Sequence, residues 1–334
     1  MPRPARLTLA LSSVLISIAA QAAQSDPATT LDAVHVVAPD STDQARKALA
    51  QVPGASNVID LQQVARGRVG GSADVLAYQA GISAQSPGNE GAKVSIRGSG
   101  INRGPGAHAS GIAVSLDGLP LTGPGGTPYE LLEPLWLSRV EVLRGANGME
   151  RGALALGGAI NYVSRTGQQS PGLELHYEAG SYGYQKAGIG YGGTDGALDY
   201  YLAYTQNTFG GYQQHGAGDG KGAMANLGWQ ISPALQTRLF LRYRETNHQT
   251  PGRLSGAQIR SNPRQANPAN LAIDARRPQP GSLWLGSLTT WQIDADASLQ
   301  AGVAYHRYPM DLQESLYRQQ LDYANLHATP DYSR

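Results

Sequence analysis

The amino-acid sequence predicts a small α+β domain followed by antiparallel strands of a transmembrane β-barrel. Mixed helix and strand signals run from 52 to 167, and a different pattern begins at Gly172. From there, apolar and polar residues alternate with a period of two, which indicates strands that have one lipid-facing side. The links between these strands are alternately short and long, as in barrels whose turns face one side of a membrane and whose loops face the other.

The composition favours this fold class. The 334 residues include 42 glycines and 17 tyrosines but only 2 phenylalanines, and 15% of the residues are charged. Short strands, tight turns and aromatic girdles use such residues. The net charge of +1 argues against a nucleic-acid-binding surface. The absence of cysteine excludes disulfides and thiolate metal sites.

Residues 1–22 are predicted to be a secretory signal peptide. Arg3 and Arg6 precede an apolar run at 7–20, and 20–22 offer a small-x-small cleavage site. The alternative is a membrane anchor, but the run has about 14 apolar residues and a spanning helix needs about 20. The sequence therefore predicts export from the cytoplasm.

Residues 31–38 form a short β-branched segment that ends before Pro39. The polar and alanine-rich residues at 40–51 offer it no neighbouring strand. An isolated strand with free edges is a suitable template for strand addition by another protein. The alternative is an ordinary first strand of the domain that follows.

The domain predicted at 52–167 contains one short helix and several strands. Ser72 is predicted to be the N-cap of a helix through Tyr78, with Gly81 beyond its end. Strands are predicted at 93–97, 112–116, 139–143 and 159–164. The glycine- and proline-rich loops at 98–111 and 119–127 are long enough to carry function.

Seven strands of about ten residues are predicted from 172 to 334, and this length suits a tilted strand that crosses a bilayer. They begin near 173, 187, 198, 223, 235, 283 and 299. Tight links are predicted at 193–196, 232–234 and 294–296, with a hairpin at Ser181 and loops at 207–222 and 245–282. The alternative is a soluble β-sandwich, which the export signal disfavours.

Four motifs occur in order within the first domain, and their series resembles the plug of TonB-dependent outer-membrane receptors. They read VSIRG at 94–98, VSLDGLPL at 114–121, SRVEVLRG at 138–145 and GGAINYV at 157–163. The resemblance implies a plug domain at 52–167 and, after 172, the first strands of a barrel that has about 22 strands in the family. About seven predicted strands would leave that barrel incomplete, so we expect a fragment or a truncated gene product.

The resemblance also implies a partner for the early segment. The N-terminal segment 23–51 then carries a TonB box at about 31–38, which pairs with the periplasmic TonB protein. The residues expected to contact TonB are Asp32, Ala33, Val34, His35, Val36 and Val37. His35 departs from the apolar residue that is usual there, but strand addition acts mainly through backbone hydrogen bonds.

Further roles are implied for plug residues. Arg97 and Arg144 are candidates for locking the plug to the barrel, since buried guanidinium groups need partners; a surface arginine paired with Glu141 or solvent is the alternative. The candidate ligand contacts in outward loops are Arg103, His108, Tyr129 and Glu130. Arginine, histidine and tyrosine suit an anionic, oxygen-rich ferric chelate.

The predicted function is TonB-energised import of a ferric siderophore or ferric citrate across the outer membrane. Vitamin B12, haem or another metal chelate are alternative cargoes, and a non-transporting surface barrel that docks phage or bacteriocin is an alternative role. Gly104 to Ala109 loosely fit a dinucleotide-binding pattern, but Pro105 lies inside it and no helix follows. No catalytic constellation or resident cofactor is predicted.

Overall fold

A computed structural model describes residues 41–52, 54–65, 67–86, 91–99, 111–123, 126–146, 148, 155, 157–295 and 297–333. The predicted signal peptide, the predicted TonB box, Arg103 and His108 lie outside the described residues. The domain boundaries that depend on them stay predictions.

A helix that was not predicted precedes the plug domain. This helix, α1 (Thr42–Gln51), begins at a capping box. The Ser41 side chain accepts a hydrogen bond from the Gln44 backbone at 3.3 Å, and the Gln44 side chain accepts one from the Ser41 backbone at 2.8 Å. This reciprocal pair satisfies two free donors at a helix start. The spacing of Ser41 and Gln44 is the sequence signal for α1.

The plug domain has the α+β fold that the sequence predicts. In chain order its elements are β1 (Ser56–Asp60), α2 (Leu61–Val64), α3 (Ser72–Leu76), β2 (Ile82–Gln85), β3 (Lys93–Ile96), β4 (Ile112–Leu116), β5 (Leu119–Pro120), β6 (Leu137–Arg144) and β7 (Gly158–Ser164). The main sheet has the order β1-β6-β7-β4-β5, and β2 pairs with β3 in a separate hairpin. Strands β4 and β7 are parallel, and the other pairs are antiparallel.

Three local predictions in this domain were wrong. Helix α3 ends at Leu76 and not at Tyr78, and its N-cap is Gly71 and not Ser72. Ser72 is buried and its hydroxyl donates to the backbone oxygen of Leu132 at 3.3 Å, so packing uses this side chain elsewhere. Strand β3 stops before Arg97 because Arg97 and Gly98 both have positive φ, at 50° and 85°.

The Gly157–Gly158 pair permits the close backbone approach that the sequence predicts. A Cβ on Gly158 would lie 2.3 Å from the backbone oxygen of Leu143, and φ at Gly158 is +140°. A Cβ on Gly157 would lie 2.5 Å from the Cβ of Ser99. The lack of a side chain at Gly158 therefore lets β7 approach β6, and its lack at Gly157 lets the chain approach Ser99.

We expect Gly158→Ala to destabilise the plug sheet by about 3 kcal/mol or more, because backbone strain and a clash with Leu143 add together. The measurement is amide hydrogen exchange in β6 and β7, which should become faster. Gly118→Ala is the matched control: Gly118 also has positive φ, but nothing lies within 4 Å of its added Cβ. Its cost should be about 1–2 kcal/mol. Equal exchange rates in the two variants would contradict the close approach.

Eight consecutive antiparallel strands follow the plug domain, one more than predicted. They are β8 (Gly172–Gly180), β9 (Tyr184–Asp195), β10 (Leu198–Phe209), β11 (Gly218–Ser232), β12 (Leu235–Gln249), β13 (Arg276–Gln292), β14 (Ser298–Glu314) and β15 (Tyr317–Ser333). We call them the barrel strands. Strand β15 was missed because its exposed positions include Arg318, Asp322 and Pro330, so the apolar alternation is lost. Proline is tolerated there because β15 is an edge strand of the described sheet.

The strand links confirm the predicted asymmetry with one exception. Short turns at 196–197 and 233–234, and the link between Gln292 and Ser298, lie at one end of the sheet, which we call the turn end. The opposite, loop end carries the hairpin Ser181–Gly183, the loop 210–217 and the loop 250–275. This last loop contains α4 (Gly256–Ser261) and α5 (Pro268–Ala272). The exception is the two-residue link 315–316 at the loop end.

The outward face of the barrel strands is apolar and exposed. Leu175, Leu202 and Leu239 are 73%, 47% and 51% exposed, on β8, β10 and β12. Aromatic residues flank these leucines, with Tyr177, Tyr204 and Tyr243 toward the loop end and Trp229 and Trp291 toward the turn end. An apolar band between aromatic girdles is typical of strands that face lipid. Among the described residues, no helix has the length and apolar character to cross a membrane.

The inner face of the barrel strands packs against the plug domain. Phe240 on β12, Trp284 on β13 and Ala304 on β14 belong to the same apolar core as Leu116 and Leu119 of the plug. Trp284 is fully buried, and its ring lies 5.7 Å from that of Phe240. The barrel strands therefore share one core with the plug.

Candidate functional site

A cavity of about 880 Å³ lies at the loop end, between the plug domain and the barrel strands. Its plug side includes Arg68, Tyr129 and Glu130, and its barrel side includes Arg277 and Tyr308. The hairpin Ser181–Gly183 and parts of the loops 210–217 and 250–275 also line it. The cavity has the size and the mixed aromatic and polar lining of a small-molecule site.

Tyr129 and Glu130, two candidate ligand contacts, lie in the 3-10 turn Tyr129–Leu131 on the cavity wall. They are only 6% and 4% exposed, so they lie deeper than the outward loop position expected from the sequence. A Glu130 carboxylate oxygen accepts a hydrogen bond from the Ser282 hydroxyl of β13 at 2.9 Å. Their contact with a ligand stays a prediction.

The rim of the cavity carries an aromatic and cationic cluster. The rings of Tyr182 and Tyr212 meet edge to face at 5.5 Å. The Arg264 guanidinium lies 5.5 Å and 5.8 Å from their ring centroids, and its Nε donates to the Tyr212 backbone oxygen at 3.3 Å. This cluster ties the three loop-end segments together. It was not predicted, because the three side chains come from separate loops.

Arg97 and Arg144, the candidate lock residues, lie near each other, Arg97 directly after β3 and Arg144 at the end of β6. An added Cβ on Gly145 would be 3.6 Å from a terminal nitrogen of Arg97, and one on Gly81 would be 4.0 Å from Nε of Arg144. Arg144 Nε donates to the Ala80 backbone oxygen at 2.9 Å. Burial and, to a lesser extent, the Arg97 charge lower the pKa of Arg144. Within the described residues neither guanidinium has a carboxylate within 4.0 Å, so their role as a lock stays a prediction.

A buried ion cluster that was not predicted joins the plug to the barrel strands. Glu133 of the plug contacts Lys186 Nζ of β9 at 2.5 Å and an Arg244 terminal nitrogen of β12 at 3.6 Å. All three side chains are 1–2% exposed. The Arg244 guanidinium also lies 5.9 Å from the centroid of the Trp136 ring. We call Glu133, Lys186 and Arg244 the buried clamp.

A second polar contact lies next to the buried clamp. Arg242 of β12 donates to the Leu131 backbone oxygen at 2.9 Å and to the Ser164 hydroxyl at 2.7 Å. That hydroxyl donates to Asp117 at 2.5 Å. Burial raises the pKa of the Asp117 carboxyl, and the Arg242 charge and the Ser164 hydrogen bonds oppose this rise. Arg242 therefore ties two plug segments to one barrel strand.

The end of the plug is fixed to the barrel wall by a third contact. Asn226 of β11 donates to the Arg165 backbone oxygen at 2.8 Å and accepts from Arg238 at 2.8 Å. Arg238 also pairs with Asp199 at 2.5 Å, and Asp199 accepts from the Gln168 backbone at 3.0 Å. Each buried charge here has a partner, as a water-excluded interface requires.

Comparisons with known proteins agree with this architecture. Residues 48–159 match the family model described as TonB-dependent Receptor Plug Domain. This match confirms that the first domain resembles the plug of TonB-dependent receptors. Comparable solved structures include the ferric citrate transporter FecA in the unliganded form, at 18% identity and a TM-score of 0.66. The alignment covers 86% of this chain and 45% of FecA.

Two further structures have the same fold. FpvA of P. aeruginosa, bound to heterologous pyoverdines, is 16% identical with a TM-score of 0.61, covering 84% of this chain and 39% of FpvA. The ferric-catecholate import receptor Fiu of E. coli K12 is 13% identical with a TM-score of 0.60, covering 85% of this chain and 43% of Fiu. These likenesses confirm a plug followed by barrel strands. The chain spans less than half the length of each of the three structures.

Proposed function

Since its plug domain identifies this chain as part of a TonB-dependent receptor, we propose that it serves the import of a ferric siderophore-type chelate, energised through TonB. The observation that carries the proposal is the loop-end cavity between plug and barrel strands. A chelate bound there contacts both parts at once. Displacement of the plug then opens a path for the chelate from the loop end to the turn end.

The lining of the cavity suits an anionic, oxygen-rich chelate. Arg68, Arg253 and Arg277 supply guanidinium donors, which bind carboxylate and similar oxygens strongly. Tyr129, Tyr182 and Tyr212 add aromatic surface and hydroxyl donors. FecA, FpvA and Fiu, whose folds are similar, are named for ferric citrate, pyoverdine and ferric-catecholate ligands. These names support an iron chelate as the cargo class.

The outward apolar band supports a location in the bacterial outer membrane. Its loop end then faces the exterior, and its turn end faces the periplasm. The segment 31–38 supplies the strand that TonB adds to on the periplasmic side. Ligand binding at the loop end increases the fraction of receptor molecules in which the segment 31–38 is accessible to TonB.

Uptake of iron by cells that produce the receptor tests the proposal. Radioactive iron is offered as ferric citrate, as a catecholate chelate and as a hydroxamate chelate, with and without a protonophore. We expect accumulation of at least one chelate above that of receptor-free cells, and the protonophore should abolish it. If none of the three chelates accumulates while vitamin B12 or haem does, the ferric-chelate proposal is wrong.

We expect Arg253→Ala to weaken binding of the accepted chelate roughly 10- to 100-fold, because a charge-assisted hydrogen bond contributes about 1.5–3 kcal/mol. Arg253 is exposed and lines the cavity. The measurement is a titration of whole cells with the radioactive chelate at low temperature. Arg260→Ala is the matched control, because Arg260 is an exposed arginine of the same loop that does not line the cavity. Equal losses of chelate affinity in the two variants would mean that the positive charge of the loop, and not a contact of Arg253, supports binding.

A further inference from the structure

Two histidines face the barrel lumen from neighbouring strands. His306 of β14 lies opposite Asn325 of β15, and Ala304 lies opposite His327. His306 and His327 are therefore diagonal neighbours on one face of the sheet. Their ring centroids are 5.6 Å apart and their planes are inclined at 26°. His306 is 2% exposed.

Each ring has a buried nitrogen that lacks a hydrogen-bond partner within the described part of the chain. These atoms are Nδ1 of His306 and Nε2 of His327. An unpaired polar atom in a buried position is unfavourable, and such atoms are few in native proteins. A bound ligand that accepts or shares these lone pairs would remove the free-energy cost of burying them unpaired.

Asn325 holds the first ring in an orientation suited to metal binding. Its side-chain amide lies 2.8 Å from Nε2 of His306. A rotation of 180° about the last side-chain bond presents the amide oxygen to this nitrogen. Nε2 then donates its hydrogen to the oxygen, and the lone pair of the neutral ring lies on Nδ1. This is the arrangement of metal-binding histidines, whose second nitrogen donates to a carbonyl or carboxylate.

We propose that His306 and His327 form a binding site for a divalent transition-metal ion such as Zn²⁺, Ni²⁺ or Cu²⁺. Imidazole nitrogen is a preferred ligand of these ions. Two Zn–N bonds of about 2.0–2.1 Å at a tetrahedral angle place the ring centroids roughly 5 Å apart, close to the spacing in this pair. The site proposed here uses these two imidazole nitrogens as its protein ligands, and water or another ligand completes the coordination of the ion.

The site lies where the plug touches the barrel wall. An added Cβ on Gly123 of the plug would be 3.2 Å from Cε1 of His306 and 2.8 Å from the amide nitrogen of Asn325. Movement of this plug segment away from the wall uncovers the His306 ring. The metal site is separate from the loop-end cavity, because none of His306, Asn325 and His327 lines that cavity.

Metal titration of the purified receptor tests the site. With ZnCl₂ in a calorimeter, we expect one saturable site that disappears in the double variant His306→Gln/His327→Gln. Asn325→Ala should weaken it about 10- to 100-fold, as loss of a supporting hydrogen bond does. With Cu²⁺, electron paramagnetic resonance should show coupling to two imidazole nitrogens, and to one in either single variant. Circular dichroism of each variant verifies that the strands remain folded.

His248→Gln is the matched control. His248 also faces the lumen, from β12, but its ring stacks on Phe209 at a centroid distance of 5.5 Å. This variant should retain the site. Identical Zn²⁺ titrations of the wild type and the double variant would overturn the proposal, as would loss of the site in His248→Gln alone. Chelate uptake is measured separately, so failure here leaves the proposed transport function intact.

Discussion

Replacing Glu133 with alanine is expected to loosen the plug from the barrel strands by about 3–5 kcal/mol. Glu133 is the acidic member of the buried clamp, and its side chain is 2% exposed. Its removal leaves the positive charges of Lys186 and Arg244 in a site from which water is excluded. Breaking a buried ion pair by removing one partner is costly because the remaining charge is uncompensated.

Hydrogen exchange localises this effect. The segment 129–139 should exchange much faster in Glu133→Ala, because its tie to β9 and β12 is lost. Lys186 keeps its hydrogen bond to the Val69 backbone oxygen at 2.6 Å, and Arg244 keeps its hydrogen bond to the side-chain oxygen of Asn207 at 2.6 Å. These contacts hold the cations in place, so their charges stay buried.

Two controls separate buried charge from lost packing. Glu245→Ala removes a glutamate that also pairs with a lysine, Lys221 at 3.1 Å, but this pair is exposed and outward-facing. Exposed pairs contribute little, so plug exchange should not change. The double variant Glu133→Gln/Lys186→Met removes one cation together with the anion, and it should be more stable than the sum of the single variants predicts. If the stability losses of the two single variants simply add, the buried clamp stabilises the plug through packing alone.

The fold class was predictable because its signals are local. The alternation of Leu239 and Leu241 with Arg238 and Arg242 identifies the two faces of β12 without reference to any other strand. Turn residues such as Gly98 likewise mark a strand end by their own conformational needs. Strand β15 lacks such a local signal, because the polar residues on its exposed face interrupt the apolar alternation.

The site was less predictable because its contacts join distant parts of the chain. The pattern of β12 places Arg242 on the polar face, yet its partner Leu131 is 111 residues away in the chain. Nothing near Glu133 in the sequence marks it as the counter-ion of Lys186. Glu130 was expected to face outward since it follows a glycine-rich loop. Its hydrogen bond to Ser282 instead fixes it on a buried wall.

Replacing Val34 with proline is expected to abolish chelate uptake and to leave chelate binding at the cell surface unchanged. Under the proposed function, TonB adds a strand to residues 31–38, and the ladder between the two chains consists of backbone hydrogen bonds. Proline lacks the backbone donor and its fixed φ disturbs an extended segment. Uptake is measured with the radioactive chelate at growth temperature, and binding is measured at low temperature.

Val34→Ala is the matched control for this prediction, because it shortens the same side chain but keeps the backbone donor. If strand addition depends on the backbone, Val34→Ala should transport at close to the wild-type rate while Val34→Pro does not. Equal loss in both variants would indicate that the side chain of Val34 is recognised. Normal uptake by Val34→Pro would remove this segment from the energising step, and TonB would have to engage another part of the receptor.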